Sequence, residues 1–135
     1  MIKPSISIIS PCYNSEIYLD KMISSIVSQT FSSWELIVVD DCSTDKSINV
    51  IKKFLKKDNR IKFFKLDKNM GAAYARNKAI SLAVGRYITF LDSDDYWEEN
   101  FLKYSIEKVK NYPFIYSSYN RVNKNDKYIS LRDDC

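Results

Sequence analysis

The chain has 135 residues, 45% hydrophobic and 28% charged, with 21 Lys and Arg against 17 Asp and Glu for a net charge of +4. This is the balance of one soluble globular domain. With no basic block interleaved with aromatics, nucleic acid is not expected as a partner. Histidine is absent, which excludes Ser-His and Cys-His catalysis and the usual zinc sites.

Taken in order, Ser5–Ser10 is a short β-branched run that reads as a first strand, stopped by Pro11. Asn14 or Ser15 can cap the next helix, over about 16–29, where Leu19, Met22, Ile23, Ile26 and Val27 recur at helical spacing. Glu35–Val39 is the second strand and ends in Asp40 and Asp41. Ser43, Thr44 and Asp45 offer caps for a helix with Ile48, Ile51, Phe54 and Leu55 inside and Lys52, Lys53, Lys56 and Lys57 outside. Ile61–Leu66 is the third strand, and 67–71 a loop. Ala72–Val84 is an alanine-rich helix with Ala75, Ala79, Ile80 and Ala83 inward, ended by Gly85. Tyr87–Leu91 reads as a buried fourth strand that runs into Asp92, Asp94 and Asp95. A helix marked by Phe101, Leu102, Ser105, Ile106 and Val109 stops before Pro113. Phe114–Tyr119 reads as a fifth strand, and a turn is expected at 123–126. No apolar run reaches membrane-spanning length, and the N-terminus has no charged-then-apolar signal pattern. Cys12, Cys42 and Cys135 lack metal-ligand spacing and read as reduced thiols of a cytoplasmic protein.

The alternation β-α-β-α-β-α-β-α-β predicts a parallel sheet covered on both faces, with central order 3-2-1-4. Ligands of such sheets bind at the carboxyl ends of the strands, where the order reverses. That gathers the loops at 11–13, 40–41 and 92–94. Neither phosphate-binding glycine pattern occurs among the two glycines. A diphosphate would instead need a divalent ion, and Asp92 and Asp94, two apart, can face one. Asp95 reads as a cap for a helix starting near Trp97. Of Asp40 and Asp41, adjacent and so oppositely directed, at most one can face a ligand. Tyr13 can stack on a flat base or pack as an ordinary aromatic. Gly71 permits φ > 0 or close approach. Arg76 can reach a phosphate or form a surface ion pair. The lysines of the second helix read as a solvated face, with contact to a membrane surface the lesser alternative.

Several motifs together resemble family 2 glycosyltransferases of the GT-A fold. They are Ser10-Pro-Cys-Tyr-Asn14, Ser28-Gln-Thr30, Glu35-Leu-Ile-Val-Val-Asp-Asp41 with Ser43-Thr-Asp45, Asn69-Met-Gly71 with Ala75-Arg-Asn77, and Tyr87-Ile-Thr-Phe-Leu-Asp-Ser-Asp-Asp95. The match runs over about residues 4–97. It implies a Rossmann-like, three-layer α/β/α nucleotide-diphosphosugar domain over 1–135. Asp92-Ser93-Asp94 matches the family's DxD-type motif, with Asp94 on Mn²⁺ or Mg²⁺, Asp92 near the ribose or metal, and Ser93 in the same donor pocket. By the same resemblance Pro11 and Tyr13 border the nucleoside, Asp41 accepts from uracil, and Asn69 and Arg76 line that pocket.

The implied activity is transfer of a sugar, with inversion, from a UDP-sugar to a hydroxyl of a saccharide or lipid-linked acceptor. Bacterial surface-polysaccharide assembly, in the cytoplasm or peripherally at the inner membrane face, is the implied setting. Family members usually continue further and carry the acceptor site and general base there. Asp133-Asp134 has no context matching that base, so the chain reads as the donor-binding half. A non-catalytic nucleotide-sugar-binding module is the alternative. A haloacid-dehalogenase-like phosphatase fits worse, because Tyr96 stands where that motif wants Thr or Val and the acids follow the fourth strand.

Overall fold

The computed structural model describes residues 2–122, 125–126 and 128–129. They fall into two compact units, 1–104 and 105–135. In the first, β1 (Ile6–Cys12), β2 (Trp34–Asp40), β3 (Ile61–Lys65) and β4 (Tyr87–Phe90) form one parallel sheet in the expected order β3-β2-β1-β4. The crossovers are α1 (Glu16–Val27), α2 (Ser47–Leu55) and α3 (Ala72–Leu82).

β1 and β2 are buried along their whole length, as strands covered on both faces must be. Ile9, Ile37 and Val39 meet Ala75 and Ala79 of α3, with Leu66 and the partly buried Ile80 and Ala83 completing that layer. The two alanines, four apart, let the helix lie close to the sheet. By the strand period Ile8, Leu36 and Val38 face the other way. α1 buries Leu19, Met22, Ile23 and Ile26 on that side. Cys12 has the parity of Ile8, and Ser15 and Ser47 lie close to its thiol, so α1 and α2 both start on the face opposite α3.

Four expectations are corrected. Pro11 does not stop β1, which continues to Cys12 with Pro11 opposite Val39. The Ile9 carbonyl accepts from the Leu91 N–H, so Pro11, two further on, directs its donorless nitrogen toward the β4 side. The β4 ladder has already ended there, at Phe90, and no bond is lost. Gly85 is no helix C-cap. That place falls to Ala83 in extended conformation, and a Cβ on Gly85 would stand 2.6 Å from the Ser7 nitrogen. The glycine is required by close packing on β1. β4 is an edge strand, not a buried one, with Ile88 44% and Phe90 51% exposed. α3 packs on β1 and β2 and leaves that end of the sheet open.

The fourth correction lies in the second unit. Residues 114–120 form no strand, and Phe114, Tyr116 and Tyr119 are exposed. An apolar run becomes a strand only with a neighbour to bond, and none of the described strands pairs with it. The pairing there is β5 (Arg121–Val122) antiparallel to β6 (Tyr128–Ile129). Asn123 and Lys124 of the expected turn, and Asp133, Asp134 and Cys135, lie outside the described residues. The last helix, α4, is Phe101–Val109. No helix among the described residues is long and apolar enough to cross a membrane.

Candidate functional site

Parallel pairing brings the carboxyl ends of β1, β2 and β4 to one edge, and hydrogen bonds tie their loops together there. Asn14 sits in the left-handed region at φ 45. Its side-chain oxygen accepts the Thr44 N–H at 2.8 Å and the Asp45 N–H at 3.3 Å, and its own N–H donates to the Ser43 hydroxyl. Asn14 therefore joins the first two loops and does not cap α1. Ser15 occupies the cap position without a capping bond. Its hydroxyl donates to the Tyr13 carbonyl and pairs with the Ser93 hydroxyl at 2.6 Å.

Asp40 and Asp41 divide as their opposite directions require. Asp40 accepts the Ser43 N–H at 2.9 Å and the Ser43 hydroxyl at 2.5 Å, closing the turn after β2. Asp41 is also buried, and its two oxygens accept the Met70 N–H at 2.6 Å and the Gly71 N–H at 2.9 Å. Asn69 donates to the Asp41 carbonyl, and Gly71 has φ +92, a conformation that favours glycine. Asp41 thus holds the 69–71 loop at the start of α3. Each of its oxygens retains a second lone pair for a further donor. Asp41→Asn is isosteric but can accept only one of the two N–H groups. We expect it to lose about 1–3 kcal/mol, read by urea unfolding; wild-type stability would show that the anchor is dispensable.

At the end of β4, one oxygen from each of Asp92, Asp94 and Asp95 lies within 4.8 Å of the others, and all three residues are exposed. Asp95 does not cap a helix, because α4 begins only at Phe101. Instead its N–H closes a turn on the Asp92 carbonyl. Partial desolvation, with the charges of Asp94 and Asp92, pushes its carboxyl above the usual carboxylate range. An all-oxygen set of three acids that repel one another suits a hard divalent cation. Ser93 turns inward, away from the acids, and its bond to Ser15 fixes them against the loop after β1.

Arg76 reaches Asp92 across 3.4 Å, with both side chains partly in solvent. Tyr13 is 49% exposed above this edge, whereas Pro11 is buried beneath it. Cys12 is no nucleophile: burial, then Asp40, pushes its thiol up to about 12. Sequence reasoning missed Ser15 and Asn14 as ties between loops. Each was weighed as a capping residue, since the partners that tie the loops together lie 29 to 78 positions away.

Comparison with known proteins agrees with this fold. The family model described as glycosyl transferase family 2 matches residues 7–133. TuaG of Bacillus subtilis, a glycosyltransferase assigned to teichuronic acid biosynthesis, is 45% identical over 78% of this chain and 42% of its own length. The Escherichia coli UDP-Glc:α-D-GlcNAc-diphosphoundecaprenol β-1,3-glucosyltransferase WfgD is 43% identical over 89% of this chain and 47% of its own. Among solved structures, S. aureus TarS 1–349 in complex with UDP-GlcNAc superposes with a TM-score of 0.75 and 36% identity, covering 83% of this chain and 32% of that one. The chain therefore spans less than half the length of these relatives. It belongs to glycosyl transferase family 2 and has the GT-A fold.

Proposed function

We propose that the protein transfers a sugar, with inversion, from a UDP-sugar to an acceptor hydroxyl in bacterial surface-polysaccharide synthesis, and that residues 1–135 are its donor-binding domain. The observation that carries this reading is the carboxylate cluster at the end of β4, beside Arg76 and the Tyr13 loop. TarS, solved with UDP-GlcNAc, and WfgD, named for a UDP-Glc donor and a lipid-linked acceptor, support the donor class. They also support a saccharide or lipid-linked acceptor. A cytoplasmic location is part of the reading.

In this assignment the exposed Tyr13 ring stacks on uracil, with Pro11 shaping the wall behind it. Asp41 accepts the base imide N–H on a lone pair left over from Met70 and Gly71, and Asn69 closes the same side. Asp94 and Asp92 hold Mn²⁺ or Mg²⁺, with Asp95 adjoining. The ion, when bound, neutralises charge on the leaving diphosphate. Arg76 exchanges Asp92 for a phosphate oxygen, which its forked guanidinium suits. Ser93 contributes through Ser15, as a positioning residue.

Titrating UDP with and without Mn²⁺, then assaying sugar transfer and donor hydrolysis, tests the proposal. Binding strengthened by Mn²⁺ and followed by turnover is expected. Metal-dependent binding without turnover would leave a nucleotide-sugar-binding module, and no UDP binding even with metal would sink both readings.

A further inference from the structure

Residues 46–78 carry eleven Lys and Arg against two acids, Asp58 and Asp67. This stretch alone therefore bears +9 in a chain whose total is +4. The fold gathers much of that charge along one side. β3 is the outer strand of the sheet. α2 packs against it and, with the turn that follows, exposes Lys52, Lys53, Lys56 and Lys57. On the α3 side, Lys65, Lys68 and Lys78, against the single acid Asp67, line a cavity of about 300 Å³ that opens beside Phe64, Met70 and Tyr74. These three large side chains are exposed, and the Lys78 ammonium lies 4.6 Å from the centre of the Phe64 ring. None of the seven lysines has an ion-pair partner among the described residues. Asp58 is already occupied by Arg60 at 2.7 Å.

Unpaired lysines alone describe a solvated face, and a few exposed apolar side chains alone are ordinary. Here Lys65, Lys68 and Lys78 border the apolar group on the α3 side, and the lysines of α2 and the turn after it flank the same sheet edge from the other face. Ammonium heads on flexible stems around an aromatic and thioether floor match an interface that is anionic at its surface and apolar just beneath it. A nucleic-acid duplex would satisfy the charge and, with its bases stacked inside, leave Phe64 and Met70 without a partner. The surface also adjoins the donor site. The Met70 N–H bonds Asp41, and the Gly71 carbonyl opens the helix that carries Arg76.

We propose that the β3 side of the protein seats it on an anionic lipid bilayer. The cavity rimmed by Lys65, Lys68 and Lys78 takes a lipid headgroup phosphate, and the α2 lysines add long-range attraction. The inference stands on the placement of charge and does not require the transfer reading. Vesicle binding and UDP binding are separate measurements, so failure of one is distinguishable from failure of the other.

The test is co-sedimentation with pure phosphatidylcholine vesicles and with equimolar phosphatidylcholine–phosphatidylglycerol vesicles. Binding to the second only, weakening as salt rises, is expected. Each lysine at an anionic surface contributes roughly fivefold to partitioning. K65E/K68E/K78E should therefore bind roughly a hundredfold more weakly or worse, with its melting temperature and UDP affinity retained. Should the triple reversal fail to fold, K65Q/K68Q/K78Q reads the same loss at smaller size. Absent binding, equal binding to both vesicle types, equal affinity for a DNA duplex, or insensitivity to these substitutions would each overturn the proposal.

Discussion

Asp94→Ala is expected to abolish the Mn²⁺-dependent part of UDP affinity, with a loss of about a hundredfold or more in sugar transfer, while the fold survives. Two features of the β4 end argue for so large and so specific an effect. Asp94 is exposed and shares one small volume with Asp92 and Asp95. Its removal therefore leaves no cavity and orphans no buried donor. In the metal-free protein the substitution relieves repulsion, since Asp94 is one of the charges that raise the Asp95 carboxyl. The melting temperature without metal should stay level or rise slightly.

With Mn²⁺ the sign reverses, because the two acids left behind carry less charge and fewer oxygens for a hard ion. Calorimetric titration of UDP with and without Mn²⁺ reads both halves. Wild-type Mn²⁺-enhanced UDP affinity in Asp94→Ala would remove this residue from the metal site. An equal loss of affinity in the absence of metal would point instead to a direct contact with the nucleotide.

What could be read before folding was what depends on local period and polarity. Buried runs at β1 and β2, a helical stripe at 19–26 and the Ala75/Ala79 face are patterns within a few residues, and a βα alternation allows few topologies. The carboxylates of Asp92 and Asp94 were visible for the same reason, and so was the split between Asp40 and Asp41, which follows from adjacency. What escaped depends on partners distant in sequence. Pro11 stays in a strand because the neighbouring ladder ends at Phe90. Gly85 is glycine because Ser7 passes beneath it. Ser93 sits between two acids yet faces Ser15, 78 positions away. The Phe114–Tyr119 run has strand composition and pairs with none of the described strands. In each case the residue type was noticed and the partner was not, because spacing along the chain carries no information about tertiary neighbours.

Glu35 was read only as the start of a strand, yet its substitution carries the second large expectation. Its side chain is 3% exposed at the opposite end of the sheet from the acids. One oxygen accepts the Ser7 hydroxyl at 2.5 Å and the Val84 N–H at 2.8 Å, and the other accepts the Lys62 ammonium at 2.5 Å. The Ser7 hydroxyl in turn accepts the Gly85 N–H at 2.8 Å. One carboxylate therefore joins β1, β2, β3 and the link from α3 into β4. In Glu35→Ala, Lys62, half in solvent, can rehydrate, whereas Ser7 and Val84 lose a buried acceptor. We expect a loss of about 2–4 kcal/mol, a fall in Tm on the order of 10 °C.

The effect has a pH signature. Burial by itself would raise the Glu35 carboxyl, but Lys62, Ser7 and Val84 together outweigh it and hold the group below its ordinary value of 4.5. A group depressed in the native state contributes its full stability above the unfolded value and loses it as pH falls through the lower native one. The stability gap between wild type and Glu35→Ala should therefore be level near neutrality and begin to close below about pH 4.5. Gly85→Ala, whose Cβ would meet the Ser7 nitrogen, the Ser7 hydroxyl oxygen and the Ile6 carbonyl carbon at 2.6, 2.7 and 2.9 Å, should destabilise by about 1–3 kcal/mol through crowding. Well below their melting temperatures both variants should bind UDP as the wild type does, since neither touches the carboxyl edge. A pH-independent gap for Glu35→Ala would show that packing, not the charged network, holds this end of the sheet. Weakened UDP binding in a folded variant would show that the two ends of the sheet are coupled.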